Sequence, residues 1–208
     1  MTSMKLFEEL PLLGILRGIS AQDVSPLAEV ILESGLKAVE ITMNTLNAPE
    51  LIQQMRNILD KKVLVGAGTV LTIEQMYAAL NAGAEFIVMP TLQTEVVEYC
   101  AKNNIPVFPG ALTPQEIYDA WNAGAYMVKV FPAKFFGPSY FKEIKGPFND
   151  IKLLACGGVS AGNMSEFFDC GADGVAFGGS VFDLKKLGSG DIDLISQNLK
   201  KMVDAYPK

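Results

Sequence analysis

Eight short runs of aliphatic and β-branched residues recur along the 208-residue chain, their centres about 20 to 25 residues apart. They are Leu12 to Leu16, Leu36 to Ile41, Val63 to Val65, Glu85 to Met89, Ile105 to Phe108, Tyr126 to Phe131, Ile151 to Ala155 and Asp173 to Phe177. The stretches between them carry apolar side chains at three- and four-residue intervals, as in Met76, Tyr77 and Leu80 or Ile117, Tyr118 and Trp121, so each builds one apolar helix face. Alternation of strand and helix at this pitch predicts an α/β architecture around a parallel sheet.

The punctuation between the runs agrees with that pattern. Gly35, Gly83, Gly124 and Gly171 each stand just before a run, where a helix must stop at a residue that tolerates positive φ. Thr72 with Gln75, and Thr113 with Glu116, have capping-box spacing, and Pro114 occupies the first helical position of the second. No Pro/Ser-rich linker or low-complexity tract interrupts residues 1–208, so the expectation is a single (β/α)8 TIM barrel, with a doubly wound open sheet as its competitor.

Charge and composition narrow the chemistry. Seventeen Lys and Arg against 23 Asp and Glu leave a net charge of −6 and no basic run, which argues against nucleic acid as a partner. Charge-free stretches such as Asn103 to Gln115 are too short and too rich in Pro and Gly for the roughly 20 apolar residues of a membrane span. The apolar piece Leu10 to Leu16 is too short for a secretory core, so a cytoplasmic location is expected. The sequence contains no histidine, which removes His-based triads and His-ligated metals. Its cysteines, Cys100, Cys156 and Cys170, show no CxxC spacing and read as reduced thiols rather than as a zinc site.

Chemistry-bearing residues gather at strand C-terminal ends. In Tyr126 to Phe131 the side chains alternate, so Lys129 shares a face with Met127 and Phe131 while Val128 and Val130 share the other. The valine face suits packing under helices, which turns Lys129 inward, where burial favours a free, nucleophilic amine over an ammonium. A core lysine neutralised by a carboxylate, or one reaching the rim, is the plainer alternative. Glu40 in Ala38 to Thr42 is a second inward ionisable group and a candidate partner. Gly157-Gly158 follows the seventh run and Gly178-Gly179-Ser180 the eighth, the two loops at which barrels often bind phosphate. Arg17, Thr69 and Pro90 end the first, third and fourth strands, and Arg17 is a candidate carboxylate clamp.

These residues, taken in order, resemble the class I 2-keto-3-deoxy-6-phosphogluconate / 4-hydroxy-2-oxoglutarate aldolases over nearly the whole chain. The resemblance rests on Gly14 to Gly18, Val39 to Thr42, Gly66 to Val70, Phe86 to Pro90, Pro109-Gly110, Lys129 to Ala133, Gly146 to Phe148, Gly157 to Val159 and Gly178 to Ser180. It implies a homotrimeric barrel that needs no metal or organic cofactor and cleaves a phosphorylated 2-keto-3-deoxy acid to pyruvate and an aldehyde. By the same resemblance Lys129 is the Schiff-base lysine and Glu40 the general acid/base. Thr69 lies at the pyruvate carboxylate and carbonyl end, Phe131 packs beside the imine, and Gly157, Gly158, Gly179 and Ser180 cradle phosphate, with Pro90 and Cys156 as further substrate-binding candidates. Two positions depart from the family pattern: Asn44 stands where many members have the arginine that binds carboxylate, and Cys156 where threonine is common near a substrate hydroxyl. Arg17 is expected to take over the clamp, and the 6-phosphogalactonate epimer and 4-hydroxy-2-oxoglutarate stay open as substrates. A phosphate-binding isomerase would call for a different acid/base pair, often with histidine. A catalytically silent phosphosugar-binding barrel would be expected to lack the lysine or the glutamate.

Overall fold

Within each strand the side chains divide between two apolar surroundings, and this division is what lets the sheet close on itself. The computed structural model describes residues 4–182 and 192–207. Its strands are β1 (Leu12–Leu16), β2 (Ala38–Thr42), β3 (Leu64–Gly68), β4 (Ile87–Val88), β5 (Val107–Phe108), β6 (Gly110–Ala111), β7 (Val128–Val130), β8 (Leu153–Cys156) and β9 (Gly174–Phe177). They pair in parallel in the order β5-β4-β3-β2-β1-β9-β8-β7-β6.

The two ends of that order are consecutive in the chain. Only Pro109 separates β5 from β6, and proline interrupts a ladder because it has no N–H to donate. The same segment still bonds to both neighbours: the Met89 N–H donates to the Phe108 carbonyl at 3.0 Å, and the Lys129 N–H donates to the Pro109 carbonyl at 2.8 Å. β5 and β6 thus act as one interrupted strand, and the sheet is a closed α/β barrel rather than an open doubly wound sheet. The expected fifth strand, ending at Phe108, continues to Ala111, since Pro109 contributes a carbonyl where the ladder asks only for an acceptor.

Around the barrel run α1 (Lys5–Glu9), α2 (Ala21–Ser34), α3 (Ala48–Leu59), α4 (Ile73–Asn81), α5 (Thr94–Lys102), α6 (Pro114–Asn122), α7 (Pro138–Lys145), α8 (Met164–Asp169) and α9 (Ile192–Asp204). Gly35, Gly83, Gly124 and Gly171 all have the expected left-handed φ. The Thr113–Glu116 capping box is complete. At Thr72 only half of it forms, because the Gln75 carboxamide oxygen accepts from the Leu71 N–H at 2.8 Å.

One set of strand side chains, including Leu12, Leu16, Val39, Ile41, Val65 and Ala67, packs outward beneath the helices. The other points into the barrel: Leu13, Ala38, Leu64, Phe86, Val88, Phe108, Met127, Leu154, Cys156 and Ala176. Helix α1 lies outside the strand-helix repeat and closes the N-terminal end of the barrel with Phe7, whose ring stands 5.7 Å from Phe108 in an edge-to-face arrangement. Interior space is allotted by glycine: a Cβ at Gly66 would collide with the Phe86 ring, and one at Gly68 with the Glu40 carboxylate.

Phe7 is 1% exposed, so Phe7→Ala leaves a cavity at the barrel floor and is expected to cost about 3 to 5 kcal/mol of unfolding free energy. Urea denaturation checks this; a loss well under ~1 kcal/mol would contradict the plug.

Candidate active site

The alternation that fills the barrel with apolar side chains also places two ionisable groups there. Glu40 of β2 is 1% exposed and Lys129 of β7 is 6% exposed. Their room comes from small neighbours: Glu40 pairs with Gly66 across β2–β3, and Lys129 with Gly110 across β6–β7. Burial pushes the Glu40 carboxyl above the ordinary carboxylate range, with the Lys129 and Arg17 charges holding it partly down. Glu40 Oε2 has no hydrogen-bond partner among the described residues. Nor do Glu40 and Lys129 meet as an ion pair; the pairs among the described residues are Arg56–Glu85 and Lys145–Asp173. The two groups are coupled through space without being spent on each other. That argues against a purely structural salt bridge, whose desolvation cost direct contact would have to offset.

Lys129 is held between a ring and a thiol. Its Nζ lies 5.3 Å from the Phe131 ring centroid, and the Cys156 thiol is near enough to feel its charge. Burial pushes the Cys156 thiol up while the Lys129 charge pulls it partly back, so the thiol stays protonated at neutral pH.

Arg17 leaves the end of β1 and spans two loops. Its Nη1 donates to Asn44 Oδ1 at 2.9 Å and its Nη2 to Thr69 Oγ1 at 3.1 Å. Asn44 therefore contacts the guanidinium. Thr69 adopts φ +54°, a left-handed conformation that costs a β-branched residue on the order of 1 to 3 kcal/mol and is retained where the surroundings over-determine it. Thr45, which sequence reasoning missed, fixes the loop after β1: buried, its Oγ1 accepts from the Gly18 N–H at 2.8 Å and lies 3.0 Å from Thr42 Oγ1. Its signal was Thr42-x-x-Thr45 directly after an inward-facing strand position.

Beside these groups lies a cleft of about 360 Å³ walled by Arg17, Phe131, Cys156, Gly157, Gly158, Ser160, Gly179 and Ser180. Gly157 and Gly158 have φ of +95° and +86°, which an L side chain rarely adopts, and a Cβ at Gly158 would press on Lys134. The Asn163 carboxamide fixes this loop, donating to the Gly158 carbonyl at 3.0 Å and accepting from the Ser160 N–H at 2.8 Å. The N–H groups of Gly158, Val159, Gly179 and Ser180 donate to no backbone carbonyl among the described residues. Ser160 was missed by sequence reasoning, since a serine after a glycine pair carries no periodic signal. Pro90 stands apart from this cleft. It lines a second one of about 270 Å³, of which Phe131 is also a wall.

Among the described residues no group of three or more His, Cys, Asp and Glu could hold a metal ion, and no helix is long and apolar enough to cross a membrane.

The model of a protein family described as KDPG and KHG aldolase matches residues 4–198. This chain belongs to that aldolase family. The chain is 36% identical over 202 residues to the 2-dehydro-3-deoxy-6-phosphogalactonate aldolase of Escherichia coli K12, covering 95% of both. It is 34% identical to the 2-dehydro-3-deoxy-phosphogluconate aldolase of Haemophilus influenzae, covering 98% of this chain and 97% of that one. Among solved structures, a native KDPGal structure superposes with a TM-score of 0.89 at 33% identity over 95% of each chain. The KDPG aldolase of Legionella pneumophila with pyruvate captured as a covalent carbinolamine superposes with 0.86 at 27% identity, covering 95% of this chain and 96% of that one. Family membership makes the protein a lyase of the aldolase type, and its relatives divide between the two phosphohexonate epimers.

Of the three cysteines, Cys100 and Cys156 are buried and Cys170 is half-buried. Burial pushes the Cys100 thiol up to about 12. A disulfide reagent at pH 7.5 is therefore expected to titrate Cys170 alone in the native protein and the other two only in denaturant; rapid native labelling of Cys156 would contradict its burial.

Proposed function

We propose that this aldolase cleaves 2-keto-3-deoxy-6-phosphogluconate to pyruvate and glyceraldehyde 3-phosphate through a Schiff base on Lys129. The observation that carries the reading is a buried lysine, with no ion pair among the described residues, sharing with a buried glutamate the inside of a barrel whose last two loops are glycine-rich.

The Lys129 amine attacks the C2 ketone, and the carbinolamine loses water to give an iminium ion. Glu40, as carboxylate, takes the C4 hydroxyl proton while the C3–C4 bond breaks. The bonding pair passes into the iminium as an enamine, and the aldehyde leaves. Glu40 then returns the proton to C3, and water releases pyruvate and the free amine. Arg17, supported by Asn44 and Thr69, receives the substrate carboxylate. The amides of the glycine loops, with Ser180 and Ser160, receive the phosphate, and no step calls for a metal or organic cofactor.

The 6-phosphogalactonate epimer is the second reading, favoured by one observation: Cys156, a weak hydrogen-bond donor, borders the cleft between Lys129 and the glycine pair. With a thiol there the two C4 epimers are distinguished less sharply than with a hydroxyl. We also read the protein as a cytoplasmic homotrimer. Sedimentation tests the oligomer.

Borohydride added with pyruvate is expected to attach a reduced pyruvyl group to the peptide containing Lys129, seen by mass spectrometry. An unlabelled wild type, or Lys129→Ala labelled at another lysine with full activity, would refute the mechanism. Arg17→Ala removes a charged hydrogen bond worth on the order of 1.5 to 3 kcal/mol, so pyruvate affinity falls about tenfold or more; unchanged affinity moves the clamp elsewhere. The sign for Glu40 follows from its raised pKa. Below that value it is protonated and cannot accept the C4 proton, so kcat/KM falls as pH drops, beginning above the ordinary value of 4.5. A pH profile checks this, and Glu40→Gln should abolish that acid limb along with most of the activity.

A further inference from the structure

The second cleft at the barrel mouth has no part in the steps above. It is walled mainly by Pro90, Leu92, Ala111, Leu112 and Phe131, with Thr91 at its exposed edge, and at about 270 Å³ it approaches the range of cavities that hold small ligands. Its one charged neighbour is occupied: the Glu116 carboxylate accepts from the Leu112 and Thr113 N–H groups at 2.9 and 2.8 Å as the cap of α6. The cleft therefore presents apolar walls beside a fixed negative charge and suits an uncharged apolar group, whereas the glycine cleft presents free amides suited to phosphate.

Its position relates it to the reacting amine. Gly110, in its wall, is the register partner of Lys129. The Phe131 ring, 5.3 Å from Lys129 Nζ, is shared between the two clefts. A keto acid joined to Nζ through C2, with its carboxylate at Arg17, sends its C4-to-phosphate arm to the glycine cleft on one side of Phe131. A second substituent on C3 has the other side open to it. There Gly110 approaches the Pro90 carbonyl so closely that a Cβ would collide.

We propose that this cleft is a subsite for an apolar substituent on C3 of the 2-oxo acid. The enzyme then forms Schiff bases with unbranched longer 2-oxo acids, 2-oxobutanoate and 2-oxopentanoate, as well as with pyruvate. This rests on Lys129 as the Schiff-base residue. The chemistry is unchanged: amine and ketone condense with loss of one water, and Glu40 removes a C3 proton to give the enamine. C3 then attacks the aldehyde carbon, whose oxygen takes a proton. The product carries the extra alkyl group on C3.

The test is borohydride trapping with pyruvate, 2-oxobutanoate and 2-oxopentanoate in wild type, Leu92→Trp and Thr91→Trp, read by intact mass. In wild type the longer acids are expected to label within about tenfold of the pyruvate rate. Filling the cleft from its wall or from its exposed edge should slow labelling by the longer acids by about tenfold or more while leaving pyruvate within about twofold, which also shows that the variants are folded. Efficient labelling by pyruvate with none by the longer acids overturns the subsite. So does an equal effect of both tryptophans on all three acids. Absence of labelling by pyruvate itself overturns the Schiff-base reading and the subsite with it.

Discussion

An apolar barrel interior that must hold two ionisable side chains constrains everything around them. Removing a carboxylate and an amine from water is expensive unless they are paired and hydrogen-bonded, yet Glu40 and Lys129 are buried without direct contact. The surroundings compensate in parts. Arg17 adds positive charge toward Glu40, the Cys156 thiol sits within reach of the Lys129 charge, and glycines on β3 and β6 leave the two side chains room. The same incomplete compensation leaves each group chemically available. A carboxyl raised above its ordinary range is the better suited both to give and to take a proton, and an amine not held in a salt bridge is free to add to a carbonyl.

The loops around this pair share the work by chemical type. The first three strand ends supply side-chain donors: Arg17, Asn44 and Thr69 form one hydrogen-bonded cluster, with Thr45 anchoring it from beneath. The last two carry glycine loops, the first of them fixed by the Asn163 carboxamide rather than by a charged side chain. A guanidinium discriminates a planar carboxylate by geometry, whereas backbone amides can donate to a tetrahedral phosphate with little demand on orientation. On the proposed reading, an acid with a carboxylate at one end and a phosphate at the other would be received in one direction.

Much of this was legible in the sequence because period-two alternation is a strict rule. Once Val128 and Val130 face the helices, Lys129 has nowhere to point but inward, and Val39 and Ile41 do the same for Glu40. The glycine pairs were legible for a similar reason, since their positions after the final strands follow from counting. What escaped notice depends on contacts between segments far apart in the chain. Thr45 bonding Gly18 and Ser160 lining the cleft leave no periodic mark. Helix α1 belongs to no repeat unit, and Pro90 faces a neighbouring cleft because the exact stagger of strand ends is set by barrel closure. The fifth strand was cut short at Pro109 because proline reads as a stop, although an acceptor alone is enough there.

That interrupted strand gives the barrel an uneven stiffness. β2 and β3 are paired from Ala38↔Leu64 to Thr42↔Gly68, while β3 and β4 share only Ala67↔Ile87, and the seam at Pro109 lies between two equally short ladders. Local opening follows the path of fewest broken backbone bonds. Transient excursions of the native ensemble therefore concentrate in the arc from β4 to β6. Glu40 stands on the long-laddered side of the wall, whereas Lys129, paired with Gly110, stands at the edge of the short-laddered arc.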